Sequence, residues 1–411
     1  MKACIFTLGC KVNEVESATM AAALEENGWE VTDKLSYADI YILNTCAVTR
    51  EAEKKSRQLV ARARKFNPSA RIFVCGCAVR KDASAFESKG VYFVTGARDK
   101  SETVKAVFDL YGGECACQPY PKQSKTRAFI KIQDGCNNFC SYCIIPYLRG
   151  REVSRPIAEI AAEVAACDCP EIVLTGINIS SYDDGGTGLT GLIEALSDVK
   201  KRIRLGSLEC SVITDGFLSA LKKLPDFAPQ FHLSLQSGSS AVLKAMNRRY
   251  TREEYLKKCE MIYSYFPDGA VTTDIISGFP TETERDFAES LSIISEVGFA
   301  RVHAFSYSPR EGTAAYKLKD LPPDVKNDRL SSLLAAAKEA EKKYVLKHMG
   351  STFCFIAEEF KDGMTSGYTG NYIKVYLNGE YEAGKKYNVK LVGLRDDGAI
   401  AVTENENQEG S

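Results

Sequence analysis

Three closely spaced cysteines carry the clearest chemical signal in this chain. Cys136, Cys140 and Cys143 form a C-x3-C-x2-C pattern directly after an apolar run that is typical of a β-strand. Three thiolates can hold three irons of a [4Fe–4S] cluster and leave the fourth iron open for a ligand. A zinc site usually closes with four ligands, and a second pair of ligands lies further along the chain. No second pair follows here, so zinc is the weaker alternative.

A second set of cysteines follows the first predicted strands. Cys10, Cys46 and Cys77 each come just after one of them. In an open parallel sheet the carboxyl ends of the strands share one edge, where ligands bind, so three distant thiols can converge there. The alternative is three unrelated thiols, since cysteine is often buried. Cys75 competes with Cys77 for the third position, and spacing does not choose between them.

The composition predicts a globular protein of a reducing compartment. The chain has 411 residues, of which 45% are hydrophobic and 26% charged, and its net charge is −1. That length predicts about two or three domains. No apolar run approaches the roughly 18 residues of a membrane span, and no signal-peptide pattern is present. Fifteen cysteines then favour metal ligation over disulfides, and we expect a cytoplasmic protein.

Histidine is scarce. His232, His303 and His348 are the three histidines, and no two are neighbours in the sequence. We therefore expect no histidine-based metal or acid–base site.

Strand-like and helix-like segments alternate through the first part of the chain. The predicted strands cover residues 3–7, 39–43, 71–74 and 91–94, and the predicted helices cover 15–27, 50–65 and 101–111. This alternation predicts an α/β fold with a doubly wound parallel sheet.

The middle of the chain repeats the strand–helix unit six times. The predicted strands cover residues 129–132, 172–175, 204–207, 232–235, 272–276 and 302–305. Six units predict a partial (βα)6 barrel, whose chemistry belongs at the C-terminal ends of the strands. After a helix over 323–348, alternating apolar and polar residues predict a small all-β module of four or five strands.

These patterns divide the chain into segments. The predicted domains cover residues 1–117, 128–349 and 350–404, with a linker over 118–127 and a tail over 405–411. Cys115 and Cys117 lie next to this polar, proline-containing linker, and we expect neither of them to be a cluster ligand.

Several segments resemble the radical S-adenosylmethionine (SAM) methylthiotransferase family. FTLGCKVNEVES, NTCAVTREAEKKSRQ and VCGCAVR resemble the N-terminal domain of that family, and GCNNFCSYCIIPYLRGREVSR resembles its radical SAM core. The last module is similar to a TRAM domain, an OB-like RNA-binding barrel. The resemblance extends from Lys2 to about Thr403.

The resemblance implies two [4Fe–4S] clusters and SAM as cofactors. Cys136, Cys140 and Cys143 match the ligands of the SAM-binding cluster. Cys10, Cys46 and Cys77 match those of an auxiliary cluster, and the Gly76-Cys77 context selects Cys77 over Cys75. SAM would serve as methyl donor and as the source of a 5′-deoxyadenosyl radical. The implied partners are tRNA, an external one-electron donor of the flavodoxin or ferredoxin type, and a sulfur donor.

The resemblance implies that Tyr142, just before the third cysteine of the loop, packs on the adenine of SAM. Further contacts are predicted from strand ends and basic patches. The SAM or substrate contacts expected at or near strand ends are Gly176, Asn178, Ser207, Glu209, Gln236 and Asp274. The expected RNA contacts are Arg149, Arg151, Arg155, Arg248, Arg249 and Tyr250, the last by stacking on a base. No catalytic residue beyond the cluster ligands is predicted.

The family has branches that differ in substrate. LGCKVN, NTCAVTREAEKKSRQ and KIQDGCNNFCSYCIIP are similar to the branch that acts on C2 of the adenine of N6-threonylcarbamoyladenosine at tRNA position 37. The alternatives are the same chemistry on N6-isopentenyladenosine in tRNA or on an aspartate of a ribosomal protein. An alternative of another class is a non-catalytic iron–sulfur protein that binds RNA.

Overall fold

The computed structural model describes residues 1–98, 100–114 and 126–404. Cys115, Cys117, most of the predicted linker and the predicted tail over 405–411 lie outside these residues. The chain splits into two compact units. The first contains the described residues of 1–123, 133–153 and 308–316, and the second contains those of 124–132, 154–307 and 317–411.

The first unit is built on a five-stranded parallel sheet. Its strands are β1 (Lys2–Thr7), β2 (Glu30–Thr32), β3 (Ile40–Thr45), β4 (Arg71–Gly76) and β5 (Phe93–Val94). Its helices are α1 (Lys11–Glu26), α2 (Arg50–Phe66), α3 (Cys77–Lys81), α4 (Ser84–Glu87), α5 (Ser101–Tyr111) and α6 (Ile145–Arg149). The strand order is β2-β1-β3-β4-β5, and every pairing is parallel. The predicted doubly wound sheet is confirmed, although β2, a three-residue edge strand, was not predicted.

Helices cover both faces of this sheet. All six residues of β3 are buried, as expected for a central parallel strand that is covered on both sides. On one face, Met20 of α1 and Val107 of α5 pack against Ile42. On the other face, Leu59 of α2 packs in the cluster that contains Leu43.

Strand β4 ends at a glycine that the backbone requires. Gly76 has a φ of 103°, a conformation that only glycine adopts at little cost. A Cβ at this position would lie 2.4 Å from the carbonyl oxygen of Thr45. The turn at Gly76 directs Cys77 into α3 instead of along the strand.

The second unit contains a curled, incomplete barrel. Its strands are β6 (Arg127–Asp134), β7 (Val153–Ser154), β8 (Glu171–Gly176), β9 (Asp183–Asp184), β10 (Thr187–Gly188), β11 (Arg202–Leu205), β12 (Ser207–Leu208), β13 (Gln230–Leu233), β14 (Ala270–Ser277) and β15 (Arg301–Ser306). Its helices are α7 (Ile157–Ala166), α8 (Leu189–Ala195), α9 (Asp215–Lys223), α10 (Ser240–Ala245), α11 (Arg252–Tyr265), α12 (Glu284–Val297) and α13 (Pro323–Lys347). The last residues of β6 and the first residue of β7 belong to the first unit.

The predicted partial barrel is confirmed, with one break. The predicted strand over 204–207 is two strands, because β11 lies in the sheet β11-β8-β6-β7 and β12 lies in the sheet β12-β13-β14-β15. Gly206 separates them, and its nitrogen donates a hydrogen bond to the carbonyl oxygen of Leu174 at 2.8 Å. A Cβ at Gly206 would lie 3.0 Å from that same oxygen, so the close approach favours glycine.

The second unit ends in a closed five-stranded β-barrel, which confirms the predicted all-β module. Its strands are β16 (Thr352–Lys361), β17 (Met364–Thr369), β18 (Lys374–Asn378), β19 (Lys386–Arg395) and β20 (Gly398–Thr403), in the order β16-β17-β18-β20-β19. Among the helices of the described residues, none is both long enough and apolar enough to span a bilayer.

Glu171 is a buried carboxylate in the second unit, and 1% of its surface is exposed. It accepts hydrogen bonds from Arg204 at 2.9 and 3.0 Å and also from Arg127. Burial raises the pKa of Glu171, but Arg204 and then Arg127 outweigh it and lower that pKa to about 2. Because the folded pKa is depressed, this carboxylate stabilises the fold above its ordinary pKa, and the contribution disappears as the pH falls towards 2.

We expect Gly76→Ala to lower the free energy of unfolding by at least about 2 kcal/mol, because alanine combines an unfavourable φ with a backbone clash. Gly96→Ala is the matched control at the same sheet edge, since no atom lies within 4 Å of its Cβ position. Urea denaturation of both variants measures the difference. Equal stability of the two variants would contradict the close approach of Gly76 to Thr45.

We expect Glu171→Gln to lower the free energy of unfolding by about 3 kcal/mol, because the buried guanidinium of Arg204 loses its counter-charge and the half-buried Arg127 loses one of its two carboxylate partners. The loss should be the same at pH 7 and pH 5.5, since Glu171 is ionised at both. Glu194→Gln, at an exposed position of α8, is the control. A loss for Glu171→Gln no larger than that for Glu194→Gln would show that the ion pairs contribute nothing.

Candidate functional site

The first unit brings Cys10, Cys46 and Cys77 together at the carboxyl edge of its sheet. Cys10 precedes α1, Cys46 follows β3 and Cys77 begins α3. Gly9 permits the close approach of two of them, because a Cβ at Gly9 would lie 3.1 Å from Cys46 Sγ. Burial raises the pKa of Cys77, Arg149 lowers it, and Cys46 and Cys10 raise it again. The three thiols therefore lie within electrostatic range of one another, as the sheet topology predicted.

Cys75 lies in a different environment from Cys77. It is fully buried in the apolar cluster that contains Ile5, Met20 and Val107, and burial raises its pKa to about 11. A thiol with such a pKa is protonated and inert near neutral pH. The turn at Gly76 separates the two cysteines, so the geometry supports the choice of Cys77 that the family resemblance implied.

The loop between β6 and α6 carries the other three cysteines. The nitrogen of Cys143 donates to the carbonyl oxygen of Cys140 at 3.0 Å, and the nitrogen of Cys136 donates to that of Gly150 at 3.2 Å. A further hydrogen bond, from Ala315 to the carbonyl oxygen of Ser141 at 2.7 Å, fastens the middle of the loop. Cys140 is buried, whereas Cys136 and Cys143 are half-buried. The backbone thus fixes a compact loop that carries two half-buried thiols and one buried thiol.

Both cysteine sets fit an iron–sulfur cluster chemically. Each offers three thiols, and Cys10, Cys46 and Cys77 form no disulfide. The buried Nε of Arg149, which influences both Cys46 and Cys77, has no hydrogen-bond partner among the described residues. A donor without an acceptor fits an anionic group bound to these thiols.

Arg149 itself does not face RNA, and that prediction is wrong. Its side chain is fully buried and donates hydrogen bonds to Glu16, Asp134 and Asn13. Arg151, two residues on, is exposed, and its guanidinium lies 4.9 Å from the ring centre of Phe139.

The other predicted RNA contacts divide into exposed and occupied groups. Arg155 donates to Glu163 at 2.6 Å, and Arg248 pairs with Glu209 at 2.9 Å. The hydroxyl of Tyr250 lies 2.6 Å from the carbonyl oxygen of Ser234 and accepts from Arg248. Arg155, Arg248 and the hydroxyl of Tyr250 are therefore engaged within the protein, and the stacking of Tyr250 on a base stays a prediction.

Arg249 is exposed. With Arg151 it leaves two of the six predicted RNA-binding side chains on the surface.

The predicted SAM contacts lie at or near strand ends, with one exception. Tyr142, in the first unit, is half-buried in the cysteine loop. In the second unit, Gly176 ends β8 and Asn178 follows it, Ser207 begins β12 and Glu209 follows it, and Gln236 follows β13. Gln236 has a φ of 71°, and its nitrogen donates to the carbonyl oxygen of Asp274 at 2.8 Å. Asp274 is the exception, because it lies in the middle of β14.

Two histidines that are far apart in sequence meet beside Asp274. The rings of His232 and His303 are 5.8 Å apart, and His232 Nε2 lies 3.2 Å from Asp274 Oδ2. Burial lowers the pKa of His303, Asp274 raises it and His232 lowers it. One atom of each residue that could ligate a metal, a ring nitrogen or a carboxylate oxygen, lies within 4.8 Å of the other two. Predicting this cluster required the register of three adjacent strands, since its members are far apart in sequence.

Comparison with known proteins identifies the family. A profile of the Radical SAM superfamily matches residues 130–294, and one described as Uncharacterized protein family UPF0004 matches residues 2–96. The chain is 37% identical over 403 residues to the Threonylcarbamoyladenosine tRNA methylthiotransferase MtaB of Chlamydia pneumoniae, covering 96% of each protein. It is 34% identical to a tRNA-2-methylthio-N(6)-dimethylallyladenosine synthase of Clostridium perfringens (strain SM101 / Type A), covering 96% of this chain and 92% of that protein.

A solved structure shares the fold. The radical SAM methyltransferase TsrM of Kitasatospora setae superposes with a TM-score of 0.55 at 12% identity, covering 74% of this chain and 71% of that one. Because relatives above 30% identity span nearly the whole chain, the protein belongs to the radical SAM methylthiotransferase family.

Proposed function

We propose that this enzyme transfers a methylthio group to C2 of the adenine of N6-threonylcarbamoyladenosine at position 37 of tRNA. The observation that carries the proposal is the full-length similarity to a relative described as acting on threonylcarbamoyladenosine. The LGCKVN start of the chain supports the same branch. Since the substrate is tRNA, the enzyme acts in the cytoplasm.

Cys136, Cys140 and Cys143 are proposed to hold the SAM-binding [4Fe–4S] cluster. A cluster held there would supply the electron that cleaves SAM, and an external flavodoxin- or ferredoxin-type protein would be the source of that electron. The loop contributes a fixed backbone and three thiolates, and Tyr142 lies beside them for the adenine of SAM. In the second unit, Gly176, Asn178, Ser207, Gln236 and Asp274 are the proposed polar contacts to SAM or to the substrate base. The pairing of Glu209 with Arg248 gives Glu209 a structural role as well.

Cys10, Cys46 and Cys77 are proposed to hold a second cluster that presents the sulfur to be transferred. Their positions at one sheet edge bring three thiolates to one place without a dedicated loop. The sulfur donor acts at this site, whose cysteines are different from those of the SAM-binding loop. We therefore expect that changes in one cysteine set can stop one step of the reaction without stopping the other.

RNA contact is proposed for Arg151, Arg249 and the terminal barrel. Exposed guanidinium groups suit phosphate contacts, which fix register and make binding sensitive to salt. In the barrel, Arg395 covers the ring of Tyr376 at 3.9 Å, and Lys374 lies 4.9 Å from the same ring. These residues combine positive charge with an aromatic surface, as in proteins that bind single-stranded RNA.

A second substrate is supported by one observation. The dimethylallyladenosine relative is 34% identical to this chain, only slightly below the 37% of the threonylcarbamoyladenosine relative. The nucleoside formed in cells separates the two substrates.

The decisive test is mass spectrometry of tRNA nucleosides from a strain without its own methylthiotransferases, with and without this gene. We expect 2-methylthio-N6-threonylcarbamoyladenosine to appear only when the gene is present. Detection of the 2-methylthio-isopentenyl nucleoside would support the same reaction on a different substrate, isopentenyladenosine. If neither nucleoside forms although the protein contains its clusters, the tRNA proposal fails.

Two sets of variants test the assignment of the cysteines. Replacing Cys136, Cys140 and Cys143 by alanine should abolish both 5′-deoxyadenosine formation and methylthiolation. Cys77→Ala should retain 5′-deoxyadenosine formation but lose methylthiolation. Cys167→Ala, outside both sets, is the control and should retain both activities. Full methylthiolation by Cys77→Ala would contradict the second cluster.

A further inference from the structure

Four charged side chains are buried together in the first unit. Arg149 lies between the carboxylates of Glu16 and Asp134, at 3.0 Å from each. Lys100 pairs with Glu16 at 2.7 Å. Each side chain is at most 7% exposed. We call Glu16, Lys100, Asp134 and Arg149 the buried ion network.

One end of this network touches the chain beside the C-x3-C-x2-C loop. Asp134 lies two residues before Cys136, and its Oδ1 accepts a hydrogen bond from the nitrogen of Gly135 at 2.7 Å. Arg149 lies on the other side of the same loop, directly before Gly150, whose carbonyl oxygen accepts the hydrogen bond from the nitrogen of Cys136. The Asp134–Arg149 pair therefore joins the two ends of the loop.

The other end reaches the chain beside Cys10 and Cys46 through Asn13. Asn13 Oδ1 accepts from Arg149 at 2.6 Å and lies 4.0 Å from Cys10 Sγ. Asn13 Nδ2 lies 3.2 Å from the carbonyl oxygen of Thr45, the residue before Cys46. One amide side chain thus connects Arg149 with the thiol of Cys10 and with the backbone directly before Cys46.

Asn44 extends the connection to Cys77. Its Oδ1 accepts from Lys100 at 3.1 Å, and its Nδ2 donates to the carbonyl oxygen of Asn13 at 2.9 Å. A Cβ at Gly76, the residue before Cys77, would lie 2.9 Å from the same Oδ1. The buried ion network and its two asparagines therefore border the chain beside the cysteines of both sets.

Stability alone does not explain four buried charges. Removing charges from water costs several kcal/mol per ion, and replacement of such networks by apolar side chains is often neutral or stabilising. What an apolar core cannot supply is an electric field. Only the side chain of Asn13 separates Arg149 from Cys10, because Asn13 Oδ1 accepts from Arg149 at 2.6 Å and lies 4.0 Å from Cys10 Sγ. The positive charge of Arg149 therefore favours negative charge at these thiols. Burial works to lower the pKa of Arg149 itself, but Glu16 and Asp134 outweigh it, so Arg149 remains charged.

We propose that Arg149 is a positioning residue that joins the two cysteine sets and, with Glu16, sets the reduction potential of the group bound by Cys10, Cys46 and Cys77. This inference rests on the proposed function, because it requires a redox-active cluster at these thiols. Hydrogen bonds and charges near a cluster are the protein's means of adjusting its potential. A nearby positive charge stabilises the reduced, more negative cluster and raises its potential. A nearby carboxylate has the opposite effect.

The test is a redox titration of the full chain, followed by electron paramagnetic resonance. The background carries Cys136→Ala, Cys140→Ala and Cys143→Ala, so that only the cluster at Cys10, Cys46 and Cys77 contributes. We expect Arg149→Met to lower the reduction potential and Glu16→Gln to raise it. Arg149→Lys should recover part of the loss, because it keeps the charge but not the forked hydrogen bonds.

Glu14→Gln is the matched control, since Glu14 is exposed on the same helix as Glu16. It should shift the potential less than Glu16→Gln does. Shifts of Arg149→Met and Glu16→Gln in the same direction, at equal iron content, would overturn the proposal, because a purely structural network predicts no opposite signs. If Arg149→Met does not fold, the comparison of Glu16→Gln with Glu14→Gln decides, and equal potentials overturn the proposal.

This experiment can contradict the inference about Arg149 without contradicting the proposed function, and the reverse is also true. The potentials require only iron bound to the protein, whereas the tRNA proposal depends on the nucleoside formed. A protein that forms no methylthio nucleoside but shows the opposite shifts would retain the network and lose the substrate.

Discussion

Parallel strands that end at one edge of a sheet determine where chemistry can occur in the first unit. Neighbouring strands lie about 4.8 Å apart, so residues that follow β1, β3 and β4 are neighbours in space although each is 31 or 36 positions from the next along the chain. Those residues are Cys10, Cys46 and Cys77. No loop has to be shaped to collect them. The glycines at 9 and 76 remove the side chains that would hinder this convergence, and both lie directly before a cysteine of the set.

The same edge explains why a buried guanidinium is required. This unit contains three thiols, the ends of three strands and the loop with Cys136. The strand ends and the loop have polar backbone groups that need hydrogen-bond partners. Arg149 is long enough to reach α1 and the end of β6 together, and its planar fork serves three acceptors. Asn13 and Asn44 distribute these contacts to the neighbouring strand ends. The polar groups of the edge are thereby connected in one network, which specifies a single arrangement.

The fold followed from the sequence because its signals are local. Apolar periodicity and strand–helix alternation predicted the parallel sheet, the partial barrel and the terminal barrel, since each element is determined by residues close in sequence. The break at Gly206 was not predicted, because the run from Arg204 to Ser207 is continuous in the sequence. Its division depends on a hydrogen bond to Leu174, a residue of another strand.

The predictions of binding residues failed where a side chain has a distant partner. An arginine in a basic stretch has the same local pattern whether it faces water or a carboxylate. Arg149 finds Glu16 across 133 positions, and Arg248 finds Glu209 across a strand of the barrel. The His232–His303 pair shows the same limit, because it is defined by the register between strands. The hydroxyl of Tyr250 likewise bonds to a carbonyl oxygen 16 positions away. This limit does not apply to the positions of the cysteines, because their places relative to the strand ends follow from the local sequence.

The terminal barrel is bonded directly to the half-barrel of its own unit. Arg204, anchored by Glu171, donates hydrogen bonds to the carbonyl oxygens of Thr369 and Gly370, each at 3.2 Å. Asn371 donates to the carbonyl oxygen of Asp268 at 3.0 Å, and Lys386 pairs with Asp226 at 2.7 Å. The sequence boundary near residue 350 is therefore not a pivot. The barrel is instead joined at several points to the half-barrel, so a change at Arg204 or Asp226 alters the contacts of the barrel directly.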